Sequence, residues 1–146
     1  MIRDATYEDI EDVFDLGHSL WLESNYRHLP WDNEKARRMG HVFIERNDKY
    51  FRIVEQDEKI IAFCMGGLSD YIFSEGLFAE EYLLYTEKKA PLSGAKLMKD
   101  FEKWAKQWGA LEMNFSTTAY GEDPRYEAFC TRLGYEPCGR NWKRRL

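Results

Sequence analysis

The sequence predicts an α/β domain with a mixed sheet and helices on both faces. Three observations carry this. Apolar positions switch between a spacing of two and a spacing near 3.6 along the chain. Helical and strand-like runs alternate through the second half. A strand-like run at 78–86 passes through a short basic loop into the longest amphipathic stretch, 93–108. At 146 residues the chain is one domain, 1–146, with room for a core. Its 44% hydrophobic and 16% aromatic content fits a folded chain rather than a disordered one.

Each element has its own warrant. Residues 2–5 read as a first strand. Thr6 then stands as a helix N-cap, with Asp9 three residues on as a capping-box acid. Ile10, Val13, Phe14, Leu16 and Leu20 follow at helical spacing. The stretch 21–31 mixes aromatics with Asn25, His28 and Pro30 and reads as an irregular connection. Asp32 or Asn33 caps a second helix reaching about Ile44. Residues 50–55 and 59–68 form two strands joined by a polar turn, with Gly66 and Gly67 marking a bulge or bend. After a loop at 71–76 comes the strand 78–86. In the helix 93–108, Leu97, Met98, Phe101, Trp104, Ala105 and Trp108 share one face, and Gly109 ends it. Residues 111–116 alternate as a strand, and 116–124 is a polar break. Asp123 and Pro124 open a last helix that Gly134 closes. Residues 135–146 are expected to form one or two final strands.

Composition narrows the function classes. A net charge of −5 disfavours a nucleic-acid partner and suits a cationic one such as an amine. The basic run Arg140, Lys143, Arg144 and Arg145 reads as a solvated end strand against that acidic total. Cys64, Cys130 and Cys138 lack metal-ligand spacing, and His18, His28 and His41 do not join them. No metal site and no disulfide framework is expected, which points to a reducing compartment. The first residues carry charge with no apolar signal core, and no run is long enough to span a membrane. A cytoplasmic protein without membrane contact is the resulting expectation.

The loop between the strand 78–86 and the helix 93–108 carries the chemistry. A strand feeding a helix through a Pro- and Gly-containing turn aims backbone N–H groups and a positive helix end at one spot. Lys88 and Lys89 stand beside it. Such a place suits a phosphate or pyrophosphate.

The order of elements, with residues 84–95 and 123–135 in place, resembles the GNAT superfamily of acyl-CoA N-acyltransferases, most nearly its short phage and bacterial members. The family's cofactor motif falls on Leu84, Thr86, Lys89, Leu92 and Gly94, with Ala95, Leu97 and Met98 opening the helix. A second motif falls on Asp123, Tyr126, Cys130, Gly134 and Tyr135. Two positions depart. Leu92 replaces a glycine that usually lets the backbone approach the pyrophosphate, and Cys130 replaces a tyrosine that usually protonates the departing thiolate.

The resemblance implies a mostly antiparallel central sheet and a transferase, an acetyl-CoA-dependent acyltransferase. The co-substrate would lie along Leu84, Tyr85 and Thr86, with its pyrophosphate on Leu92, Ser93, Gly94 and Ala95 beside Lys88 and Lys89. The acetyl group would pass directly to a primary amine, which must lose a proton to a base. Strand alternation puts Glu80, Tyr82 and Leu84 on one face and Glu81, Leu83 and Tyr85 on the other. With Leu84 facing the reaction, Glu80 is the expected base. Tyr126, one helical turn before Cys130, shares the role of candidate acid with it. Trp21, Tyr26, His28 and Trp31 are expected on the acceptor side. The acceptor itself stays open between a small molecule and a protein lysine or N-terminus, and a homodimer is admitted. The alternative is a GNAT-shaped binding or inhibitory protein without turnover, motivated by Leu92 and Cys130.

Overall fold

A computed structural model describes residues 1–121 and 123–146. The polar break at 116–124 includes Glu122, which lies outside the described residues. Strand β1 (Ile2–Asp4) runs antiparallel to β2 (Lys49–Gln56). Between them, one 3-10 turn (Tyr7–Asp9) leads into α1 (Ile10–Glu23), and α2 (Asn33–Glu45) follows. The expected capping acid is in place. Asp9 accepts from the Thr6 backbone N–H at 2.8 Å and from both terminal nitrogens of Arg3 at 2.7 and 2.8 Å. The Arg3 bonds hold its carboxyl down at about 2. Asp32 caps α2 by accepting from the Lys35 N–H at 2.9 Å.

Strands β2, β3 (Lys59–Asp70) and β4 (Leu77–Thr86) form an antiparallel meander, and β5 (Ala110–Asn114) adds parallel to β4. The sheet order is therefore β1-β2-β3-β4-β5, mostly antiparallel, as expected. Helix α3 (Leu92–Gln107) makes the β4-to-β5 crossover, and α4 (Pro124–Arg132) follows β5. Gly109 lies at φ +77°, a left-handed residue that ends α3 as its position predicts.

Strand alternation divides the core between two faces. Phe51, Ile53, Phe63 and Met65 meet Val13, Leu20 and Phe43 of α1 and α2. Tyr50, Val54, Ala62, Cys64, Ala79 and Leu84 meet Leu97, Met98, Phe101, Trp104 and Ala105 of α3. Phe129, Leu133 and Tyr135 extend this second core, so α4 lies on the α3 face.

Two expectations fail. Residues 135–146 form no strand. After Tyr135 every residue is exposed, and the charged, glycine-containing run has no apolar face to lay on the sheet. The second failure concerns β4. Met65 pairs with Leu83 but Gly66 pairs with Glu81, so Tyr82 is an extra residue in β4. The bulge lies opposite the predicted glycines, in the partner strand. Gly66 is required there because a Cβ would come within 2.5 Å of Phe101 Cζ and 2.6 Å of the Glu80 carbonyl.

Candidate active site

The bulge divides β4 into two unlike halves. Up to Glu80, β4 is paired on both sides, with β3 and with β5, whose last partner is Asn114 opposite Glu80. From 81 to 86 only β3 remains. The Glu87 N–H donates to the Ile61 carbonyl at 2.9 Å. Counting back by twos, Leu83 and Tyr85 turn their backbone groups to β3, and Leu84 and Thr86 turn theirs to the opened edge. A short length of sheet edge thus faces the gap where β5 has ended.

The same bulge reassigns the side chains. Alternation without interruption would group Glu80 with Leu84. One inserted residue moves Leu84 onto the face of Ala79 and Glu81 instead. Glu80 points to the α1/α2 face, where its carboxylate accepts from Ser69 Oγ at 3.2 Å. Tyr82 joins it, edge-on to Phe43 at 5.9 Å. Glu81 is 8% exposed on the α3 face. Burial pushes its carboxyl up to about 8, partly opposed by the Ser116 backbone amide. Among the described residues no Lys, Arg or His forms an ion pair with it. Glu81, not Glu80, is thus the acid that shares a face with Leu84.

Downstream of the open edge lies the start of α3. Pro91 is its N-cap and gives no side-chain hydrogen bond, and the first turn holds no acidic residue. The positive helix end is therefore left uncompensated. Of the four expected amides, Ser93's already donates to the Ala90 carbonyl at 3.0 Å. Gly94 is buried against β4, where a Cβ would lie 3.3 Å from Thr86 Cγ2. Leu92 is 72% exposed, so its side chain enters neither the core nor the packed cradle. Lys88 is exposed, and Lys89 lies 3.8 Å from Glu87, which Lys59 also holds at 2.8 Å. Tyr85 does not belong to this cradle. Its ring lies on the α1/α2 face and its hydroxyl reaches Glu23 Oε1 at 3.4 Å.

The 116–121 turn fills part of the gap beside β4. Tyr120 donates from its hydroxyl to the Leu84 carbonyl at 2.7 Å and stacks on Tyr126, with centroids 4.1 Å apart. Burial raises the hydroxyl pKa of both tyrosines. Cys130 is half-buried one turn further along α4, and burial raises its thiol too, with the Glu81 charge adding to the effect. The structure therefore gathers Glu81, Leu84, Tyr126 and Cys130 around the end of β5 and leaves Glu80 on the other face. Tyr120 carried no sequence signal beyond being an aromatic inside a polar break.

The α1–α2 connection reaches the same place. Asn25 donates from its backbone N–H to the Ala119 carbonyl at 2.8 Å and from Nδ2 to the Thr118 carbonyl at 3.2 Å. The aromatics expected on the acceptor side shape this connection. Trp31 packs on Phe14, His18 and Trp21, and Trp21 Nε1 donates to the Tyr26 and Leu29 carbonyls. His28 Nδ1 lies 2.9 Å from the Asn25 carbonyl.

The fold that carries this arrangement is the GNAT acetyltransferase fold, shared as a whole with solved N-acetyltransferase structures. No protein-family model matches the sequence, and no curated protein matches it. Solved structures do. The aminoglycoside N-acetyltransferase AAC(6')-Iy, in complex with the bisubstrate analogue CoA-S-monomethyl-acetylneamine, matches at TM-score 0.83 and 16% identity, over 100% of this chain and 97% of that one. The aminoglycoside 6'-N-acetyltransferase AAC(6')-Ih from Acinetobacter baumannii matches at 0.78 and 18% identity, over 100% and 98%. A transcriptional regulator from Bacillus halodurans matches at 0.83 and 17% identity, over 100% and 99%. The fold is shared throughout, although fewer than one residue in five is.

Proposed function

We propose that this protein is an N-acetyltransferase that moves an acetyl group from acetyl-CoA to a primary amine of a small molecule. The observation that carries the reading is the open edge of β4 running into the uncapped start of α3, with a buried, unpaired carboxylate alongside. Acetyl-CoA supplies the acyl group as an activated thioester. The residues present fit it. Backbone groups of Leu84 and Thr86 suit the amides of an extended arm, and the free amides around Leu92 and Gly94 suit its pyrophosphate. Close packing at Gly94 keeps that helix start against β4. Lys88 adds charge, and Lys89 adds less because Glu87 partly offsets it.

Glu81 replaces Glu80 as the favoured base. With its pKa raised to about 8, the ionised form of Glu81 is a stronger base than an ordinary carboxylate, and an amine must shed a proton before it can attack. Tyr126 is favoured over Cys130 as the proton donor, because a hydroxyl is the stronger hydrogen-bond donor. The Leu84 N–H, turned to the open edge, is the candidate donor to a developing oxyanion. The neighbours that act on aminoglycosides make aminosugars and polyamines the first acceptors to try, before peptides with free lysine or N-terminal amines.

The test is CoA release across an amine panel, alongside a thermal shift with CoA. Saturating cofactor at about 100 times its Kd adds roughly 2.7 kcal/mol of stability. Release with at least one amine is the expected result. The rival reading, a binding protein without turnover, has one observation in its favour, namely Tyr120 seated on the β4 edge. It predicts a thermal shift without CoA release from any amine.

A further inference from the structure

The Leu84 carbonyl is the feature with two claimants. It lies on the edge that β5 leaves open, and a buried backbone acceptor needs a donor. Tyr120 supplies one at 2.7 Å. The hydroxyl is not held there alone. Its ring stacks on Tyr126 at an interplanar angle of 15°, and the turn that carries it is fastened to Asn25 by two hydrogen bonds. Gly121, at φ +72°, closes that turn against Asn25, where a Cβ would lie 3.1 Å from Nδ2. A chain of contacts thus runs from the α1–α2 connection, through the 116–121 turn, to one carbonyl of β4.

We propose that Tyr120 is a latch on the β4 edge, competing with the amide arm of the cofactor for the Leu84 carbonyl. The inference rests on the acetyl-CoA reading above. An extended amide that joins the edge at Leu84 approaches this carbonyl from the open side, where the Tyr120 hydroxyl already sits at 2.7 Å. In this latch the arriving amide displaces the Tyr120 hydroxyl from that side, and the Asn25 end of the turn is the element loosened with it. The cofactor therefore binds against a preformed hydrogen bond, and its arrival reshapes the connection expected on the acceptor side.

Tyr120→Phe removes the hydroxyl while keeping the ring stacked on Tyr126. A neutral hydrogen bond has a small net worth, so the expected result is a Kd for CoA about 2- to 10-fold tighter, read by titration calorimetry. Asn25→Ala is expected to act in the same direction with a smaller change. Hydrogen exchange on the wild-type protein is the second readout, with amides of 118–121 and Asn25 expected to exchange faster once CoA is bound. An equal or weaker affinity in Tyr120→Phe overturns the latch, as does unchanged exchange in those segments. Failure of the wild-type protein to bind CoA at all overturns the acetyl-CoA reading instead.

Discussion

The two halves of β4 differ in what lies beside them. Residues Leu77, Phe78, Ala79 and Glu80 have a partner strand on each side, while 81–86 have one. The first half is scaffold, with its backbone groups spent on the sheet. The second half keeps backbone groups turned to an open edge, and α3, α4 and the 116–121 turn gather around it. One inserted residue, Tyr82, marks the boundary. The comparison teaches that the site is made by ending a sheet early rather than by adding a loop to it.

The harshest way to break this comparison is at Gly66. In Gly66→Val the new side chain would strike Phe101 and the Glu80 carbonyl, so the bulge cannot keep its shape. A loss of about 3 kcal/mol or more is expected, measured by denaturant unfolding. Full stability in that variant would show the bulge to be dispensable.

Next come the two glutamates, one on each side of the boundary. Glu81→Gln is expected to cut turnover by about 100-fold or more, the ordinary range for a lost general base. Glu80→Gln is expected to stay within a few-fold of the parent. A reversed ranking would return the role to Glu80. Glu81 also marks the dependence of stability on pH. Glu81 has a folded pKa of about 8 against an ordinary 4.5, so the folded state prefers its proton. Its favourable contribution is complete below about 4.5 and is lost as pH rises through 8. Stability should therefore fall over that window by a few kcal/mol at about 1.4 kcal/mol per pKa unit, and Glu81→Gln should flatten the slope. A flat profile in the parent protein would place the carboxylate in water.

A smaller effect is expected at the cradle. Gly94→Val would crowd Thr86 and push the start of α3 from the open half of β4. The Kd for CoA should rise by roughly 10-fold, on the order of 1.4 kcal/mol, in a binding titration. Smallest of all is Leu92→Gly. The side chain is exposed, so affinity should change by less than about 3-fold, with at most ~1 kcal/mol of helix stability lost. A large gain in affinity would mean that Leu92 obstructs the cofactor after all.

Much of the frame was legible in the sequence. The faces of α3, the caps at Asp9, Asp32 and Asp123, and the hairpin of β2 and β3 follow from local spacing and turn chemistry. The final strands were not. Residues 135–146 have too little apolar surface to bury on a sheet. Glu80 failed for a different reason. The period-two rule holds only while a strand stays in register with its partner, and β3 forces one residue of β4 out of register. Tyr120 was invisible because its partner, the Leu84 carbonyl, is 36 residues away and has no side-chain identity.

The sequence by itself determined the elements as far as α4, their order and the positively ended helix behind a basic loop. Each depends on neighbours within a few turns of chain, where propensity, capping and amphipathic spacing act. The tertiary structure decided which glutamate is buried, which carbonyl is open and what sits on it. Those depend on Phe101 pressing on Gly66, on β5 stopping at Asn114 and on Asn25 holding the turn of Tyr120. Close packing and strand register are relations between distant residues, and no local pattern encodes them.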